Sequence, residues 1–209
     1  MQFVFVSPSQ VIVTGFFRKN SQKMSTRRRN EYKLHYFNMK GRGELARLIM
    51  AYAKVPYDDI RYENADWLQH KDRMPNGQLP VLEWKGQLLP QSLAIARFLA
   101  HRHNLAGTDE WQWAKIDAMT DTINDTFGEA RPIFMVKRLD KMLEDNGSDY
   151  LIGNQCSLAD LALFSCYDFA AGLCGDRLPK CQHVAALHAR VGQIPAIKNW
   201  VEKRPATPF

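Results

Sequence analysis

Between Tyr32 and Leu89 the chain alternates short strand-like and helical stretches, and from Glu110 to Pro205 it shows helical spacing alone. That switch restricts the fold more than any other feature. The first part must build a sheet covered by helices, and the second must bury its apolar stripes helix against helix. Tyr32 to Phe37 reads as an aromatic-rich strand and Asn38 to Gly43 as a polar, glycine-bearing turn. Glu44 to Lys54 aligns Leu45, Leu48, Ile49 and Tyr52 on one stripe, which predicts an amphipathic helix ended by Val55-Pro56. Tyr57 to Tyr62 predicts a weaker strand, Asp66 to Arg73 a short helix, and Met74-Pro75-Asn76-Gly77 a turn. Leu79 to Trp84 predicts a strand opened by Pro80, Gln87 to Leu89 its hairpin partner across Lys85-Gly86, and Gln91 to Arg102 a helix. The order β-α-β-α-β-β-α predicts an α/β unit with a mixed sheet.

After a linker at Asn104 to Asp109, one long helix is predicted from Glu110 to about Phe134 and another through Leu139 to Glu144, stopped by Asn146-Gly147. Ser157-Leu158-Ala159-Asp160 is a capping box opening a helix whose apolar residues run from Leu161 to Phe169. Two further helices are predicted over Gln182 to Val191 and Pro195 to Lys203. The expected domains are an N-terminal extension (1–30), an α/β unit (31–105) and an all-helical unit (109–209).

Charge narrows the function. The chain carries a net +6, but residues 1–30 hold six basic residues (Arg18, Lys19, Lys23, Arg27, Arg28, Arg29) and no acid. The remaining 22 basic and 22 acidic residues balance, so a polyanion-binding fold loses its main support and no nucleic-acid partner is expected. The apolar run Phe3 to Phe17 is broken by Ser7-Pro8-Ser9-Gln10, too short to span a bilayer, and its basic residues follow rather than precede it, unlike a signal peptide. No membrane partner is expected. A basic, acid-free, serine-containing arm is similar to a mitochondrial transit peptide; the plainer readings are an unstructured tail, or sequence upstream of a true start at Met24. Cys156, Cys166, Cys174 and Cys181 form no CxxC pair and are expected to be reduced thiols of a cytoplasmic protein. The six histidines form no metal-ligand pattern.

Six stretches carry a resemblance: Tyr36-Phe37-Asn38-Met39-Lys40-Gly41-Arg42-Gly43-Glu44; Ala65-Asp66-Trp67 with Lys71; Met74 to Leu82; Gln91 to Arg97; Gly153-Asn154 with the Ser157/Asp160 box; and Ile194-Pro195-Ala196-Ile197. In order and spacing, residues 31–209 resemble the sigma class of glutathione transferases. The resemblance implies a thioredoxin-like glutathione-binding domain, an all-helical C-terminal domain, a homodimer, and attack of the glutathione thiolate on small hydrophobic electrophiles.

The chemistry requires ionising a thiol. A free cysteine-type thiol has a pKa of about 8.5, leaving roughly 3% thiolate at neutral pH. Lowering it by ~2 units takes ~2.7 kcal/mol of preferential thiolate stabilisation. The resemblance assigns Tyr36 as the thiolate-stabilising hydroxyl and Arg42 as its electrostatic support; from composition alone, Tyr36 is a strand aromatic. It implies that Leu79-Pro80 is a cis bend whose backbone pairs with the thiol-bearing residue of glutathione. Gln91 and Ser92, opening a helix, would take the γ-glutamyl carboxylate; Ser92 also reads as a plain helix cap. Trp67 and Lys71, with Gln78 nearby, would hold the glycyl carboxylate, though singly they read as a packed and a solvated side chain. Asp117, Asp121 and Asp125 make an acidic face at i, i+4, i+8 that a partner or solvent must accommodate. The resemblance sends Asp125 to the glutathione amine of the other subunit. Asn124 replaces one acid of the cation-binding pattern found in some vertebrate members, so no metal is expected.

Two departures stand out. Between Val136 and Lys137 roughly two dozen residues, six to seven turns at ~3.6 residues each, are missing relative to the family. They form the end of the long helix and most of the next, which wall the electrophile pocket and pack the dimer. Pro132 stands where the related prostaglandin isomerase has a pocket tryptophan. The alternatives are therefore a non-catalytic glutathione or ligand binder of the crystallin type, or a glutathione-dependent prostaglandin isomerase or peroxidase.

Overall fold

The structure, a computed structural model, describes residues 30–128, 132–174 and 181–207; the expected extension lies, apart from Asn30, outside the described residues. Four strands form one sheet: β1 (Tyr32–Phe37), β2 (Tyr57–Tyr62), β3 (Val81–Trp84) and β4 (Gln87–Pro90). Their order is β2-β1-β3-β4, with β1 parallel to β2 and antiparallel to β3. The parallel pair requires a crossover, which α1 (Glu44–Tyr52) supplies. The hairpin from β3 to β4 turns at Lys85 and Gly86, both at positive φ (50° and 78°), as a two-residue turn matching strand twist demands.

Alternation along β1 buries Tyr32, Leu34 and Tyr36 on one face and leaves Lys33, His35 and Phe37 half-buried on the other. Helices α1 and α3 (Ser92–Arg102) pack together, and Leu34, Leu48, Ile49, Leu82, Ile95 and Leu99 share their core. Short α2 (Asn64–His70) meets the other face, where the Trp67 ring lies edge-on to Phe37 at 5.6 Å between centroids.

The second part contains α4 (Glu110–Gly128), α5 (Pro132–Asn146), α6 (Leu158–Cys174), α7 (Gln182–Gln193) and α8 (Pro195–Lys203). The first half of α6 is buried all round, as an apolar helix at the centre of a bundle must be. It packs on α4, on α7 and, across the two parts, on α1. The βαβαββα order, the mixed sheet and the helical second half are as the sequence predicts. Of the helix expected from Glu110 to about Phe134, α4 covers Glu110–Gly128 and α5 begins at Pro132; residues 129–131 lie outside the described residues.

The Ser157/Asp160 box forms, with the carboxylate as its centre. Asp160 Oδ2 accepts from the Ser157 amide and hydroxyl, both at 2.7 Å, and Oδ1 accepts from the Leu151 amide at 2.9 Å. Burial pushes this carboxyl above its usual range, while those three donors pull it back. Asp160→Ala leaves buried donors unpaired, so urea unfolding is expected to show a loss of about 3 kcal/mol. A loss under about 1 kcal/mol would mean the box is not a structural tie.

Candidate functional site

Strand register collects the predicted residues at one end of the sheet. His35 pairs with Val81, and Val81 with Pro90. Tyr36 and Phe37 follow His35, Leu79-Pro80 precedes Val81, and Gln91-Ser92 follows Pro90. All three segments therefore emerge at the C-terminal end of β1.

Tyr36 is almost fully buried, and its ring lies against the turn Gly41–Gly43. A Cβ on Gly43 would sit 2.5 Å from Tyr36 Cδ1, and one on Gly41 would sit 2.7 Å from the phenol oxygen. No larger residue fits at either place, so the glycines read as a turn in the sequence also cradle the ring. The phenol oxygen accepts a hydrogen bond from the Arg42 backbone amide at 3.0 Å. That bond uses a lone pair of the phenol oxygen and does not engage its proton. Arg42 thus touches Tyr36 through its backbone, while its residue as a whole is exposed. Gly43 has φ −83°, so alanine is tolerated by the backbone and its effect is purely steric. Gly43→Ala is expected to cost about 2 kcal/mol and to push the phenol off the Arg42 amide. Urea unfolding together with a crystal structure of the variant checks both.

Beneath the ring is a residue that sequence reasoning did not single out. Arg47 of α1 is 0% exposed, and its Cζ lies 5.7 Å from the Tyr36 ring centroid. Its guanidinium donates to Asp59 Oδ1 (3.1 Å), to the carbonyls of Met39 (2.7 Å) and Phe37 (3.4 Å), and to Glu44 Oε2 (3.4 Å). Glu44, also buried, turns its other oxygen to Trp200 Nε1 and Arg204 Nη1, both at 2.8 Å. The spacing carried a signal: Glu44 and Arg47, at i and i+3, share the helix face of Leu48, where charge is out of place unless paired.

Leu79-Pro80 is a cis bond, and Leu79 lies two residues before β3, beyond the last β1–β3 pair. Gln91 precedes α3 at φ 76°, unusual for a residue with a Cβ, and no side chain caps the helix. The first-turn amides of Ser92, Leu93 and Ala94 therefore lack helical partners, an arrangement that suits a carboxylate. Ser92 is the first helical residue, with Gln91 in the cap position. Trp67 is half-buried against Phe37 and Tyr62. Lys71 is exposed, and its stem crosses Gly77, with Cε 3.0 Å from where a Cβ would stand, beside exposed Gln78. Register and these contacts bring together Tyr36, Arg42, Trp67, Lys71, Gln78, Leu79, Pro80, Gln91 and Ser92. Asp125, exposed on α4, stands outside this set of contacts.

The acidic face of α4 has its answer within the chain. Arg97 of α3 lies 3.4 Å from Asp117 and donates to Asp121. Among the described residues no group of three or more His, Cys, Asp or Glu could hold a metal ion, and no helix is long and apolar enough to cross a membrane.

The sequence matches the glutathione S-transferase N-terminal domain over residues 32–101 and the C-terminal domain of the same enzymes over residues 112–204. It is similar to human hematopoietic prostaglandin D synthase, 36% identical over 194 residues, covering 84% of this chain and 98% of that protein. It is also similar to glutathione S-transferase 1 of Ascaris suum, 33% identical, with 86% of this chain and 99% of that protein covered. Among solved structures it resembles monomeric Na-GST-3, a glutathione S-transferase of the hookworm Necator americanus, at TM-score 0.80 and 33% identity, covering 86% of this chain and 100% of that one.

Proposed function

The chain belongs to the glutathione S-transferase family, and from that premise we propose that it is a sigma-class transferase joining the glutathione thiolate to small hydrophobic electrophiles. The observation that carries this reading is the Tyr36 phenol, held by the Arg42 amide in a bond that does not engage its own proton, at the sheet end where Leu79 and the α3 N-terminus also open.

In this reading the thiol-bearing residue of glutathione pairs with the Leu79 backbone. The Ser92 hydroxyl and the α3 amides, with Gln91, take the γ-glutamyl carboxylate; Trp67, Lys71 and Gln78 hold the glycyl end. The Tyr36 hydroxyl donates to the sulfur, and Arg42 and the α1 N-terminus add positive potential. The sulfur then attacks the electrophile, and the displaced group leaves with the bonding pair. Glutathione is a co-substrate and no metal takes part.

We place the protein in the cytoplasm, in detoxification, as a homodimer in which Asp125 of each subunit reaches the other's glutathione amine. Exposure of Asp125 on α4 supports this. The reading of a shortened helical part is supported by the human match: 84% of 209 residues is about 176, so some 18 of the 194 aligned positions have no residue here.

Conjugation of glutathione to a chromogenic aryl halide tests the proposal. Turnover well above the uncatalysed rate is expected. Strong retention on glutathione resin without turnover on any electrophile class would instead make the protein a non-catalytic binder. The likeness to a protein named prostaglandin D synthase favours one second reading, isomerisation of prostaglandin H2, which product analysis decides. Pro132 at the pocket-tryptophan position weighs against it.

A further inference from the structure

The contacts of Glu44 and Arg47 run from the last helix to the phenol. Trp200 and Arg204, at and just past the end of α8, together occupy one oxygen of Glu44. Glu44 opens α1 directly after Gly43, whose backbone lies against the Tyr36 ring. The other oxygen of Glu44 faces Arg47, which holds the carbonyls of Phe37 and Met39 on either side of Asn38. Those carbonyls bound the start of the turn whose Arg42 amide grips the phenol oxygen. A guanidinium with no exposed surface must keep all its partners, so a shift of Glu44 is passed on to the turn.

We propose that Trp200 and Arg204 are positioning residues for Tyr36: acting through the buried Glu44–Arg47 pair, the final helix sets how well the phenol and the Arg42 amide are placed to ionise glutathione. This rests on the transferase reading above and goes beyond it, because it gives the helical part a role in activating the thiol and not only in walling the second substrate. The sequence separations of 156 and 160 residues in the Glu44 contacts make this a tie between the two halves of the molecule. The amide–phenol bond is 3.0 Å long, and a hydrogen bond weakens steeply as its alignment is lost, so a small tilt of the turn is enough.

The charged groups around this linkage are Lys40 and Arg42 on the turn, Asp59 and Arg61 on β2, and Asp168 on α6, which lies within electrostatic range of Arg204 and Lys40. All stay intact in the test. In the full chain, Trp200→Phe with Arg204→Met removes both donors to Glu44 while keeping an aromatic ring at 200. The thiolate of bound glutathione is titrated by its ultraviolet absorbance, kcat and KM are measured across pH, and the backbone amide of Arg42 is followed by NMR.

The double variant is expected to keep its glutathione KM within about twofold and to lose about fivefold in kcat/KM below pH 7, a shift of ~0.7 unit in thiol pKa, with the gap closing above the free-thiol pKa of ~8.5. Its Arg42 amide resonance should move. Arg204→Lys alone, which restores a donor, should behave like the wild type. A folded double variant with a wild-type thiolate titration, or with a loss independent of pH, overturns the proposal. Should the wild type itself leave glutathione un-ionised while the Arg42 amide still responds to the double variant, the transferase reading falls and the tie from α8 to the turn stands.

Discussion

Tyr36→Phe is expected to lower kcat/KM for conjugation about 50-fold near pH 6.5, where a thiol with its pKa lowered ~2 units to ~6.5 is half ionised and one at ~8.5 is ~1% ionised. The variant loses one oxygen and keeps a ring that the Gly41–Gly43 cradle already fits, so folding should be unaffected. Glutathione affinity should change little, because the carboxylate ends are held by other residues. The discriminating measurement is the pH profile. Wild-type kcat/KM should level off above the lowered thiol pKa. The variant should keep rising toward ~8.5, and the two should converge in alkali. A variant retaining more than about a third of wild-type activity near pH 6.5 would mean the sulfur is ionised by something other than this hydroxyl.

Arg47→Met is expected to be the most damaging single change to stability, costing about 4 kcal/mol in urea unfolding. The loss does not measure the attraction alone. Removing the guanidinium takes one cation from the buried Glu44 carboxylate, deprives Asp59 of one of two arginines, and takes the Arg47 donor from the Met39 carbonyl, while Phe37 keeps the Met39 amide. Methionine fills most of the volume, so packing is not the cause. Against a typical total of 5–15 kcal/mol, such a loss brings the chain close to unfolding. Combined with Glu44→Gln, the loss should be smaller than the sum of the two single losses, because each change breaks the same pair. Additive losses, or a loss below about 1 kcal/mol for Arg47→Met alone, would show that the pair is not coupled.

Most elements of the first half were legible because their signals are local. Tyr32, Leu34 and Tyr36 alternate with Lys33, His35 and Phe37, and that spacing alone specifies a strand with one buried face. Lys85-Gly86 between two short apolar runs specifies a hairpin. The site motifs were legible as well, and register then gathered at one end of the sheet what the sequence scatters from Tyr36 to Ser92. Arg42 was read through its guanidinium, whereas its amide makes the contact. A backbone donor has no letter in the sequence. The acidic face of α4 was visible, but Arg97, which meets it, lies on another helix.

The sequence by itself determined the kinds of element, their order, the aromatic strand with its glycine turn, and the Ser157/Asp160 cap, because each follows from torsional and polar preferences acting over a few neighbouring residues. Only the tertiary structure decided that Arg47 is buried under the phenol, and that Glu44 is shared between α1 and the chain's last helix. A charge leaves water only where distant segments converge to supply its partners, and that convergence is fixed by packing rather than by spacing along the chain.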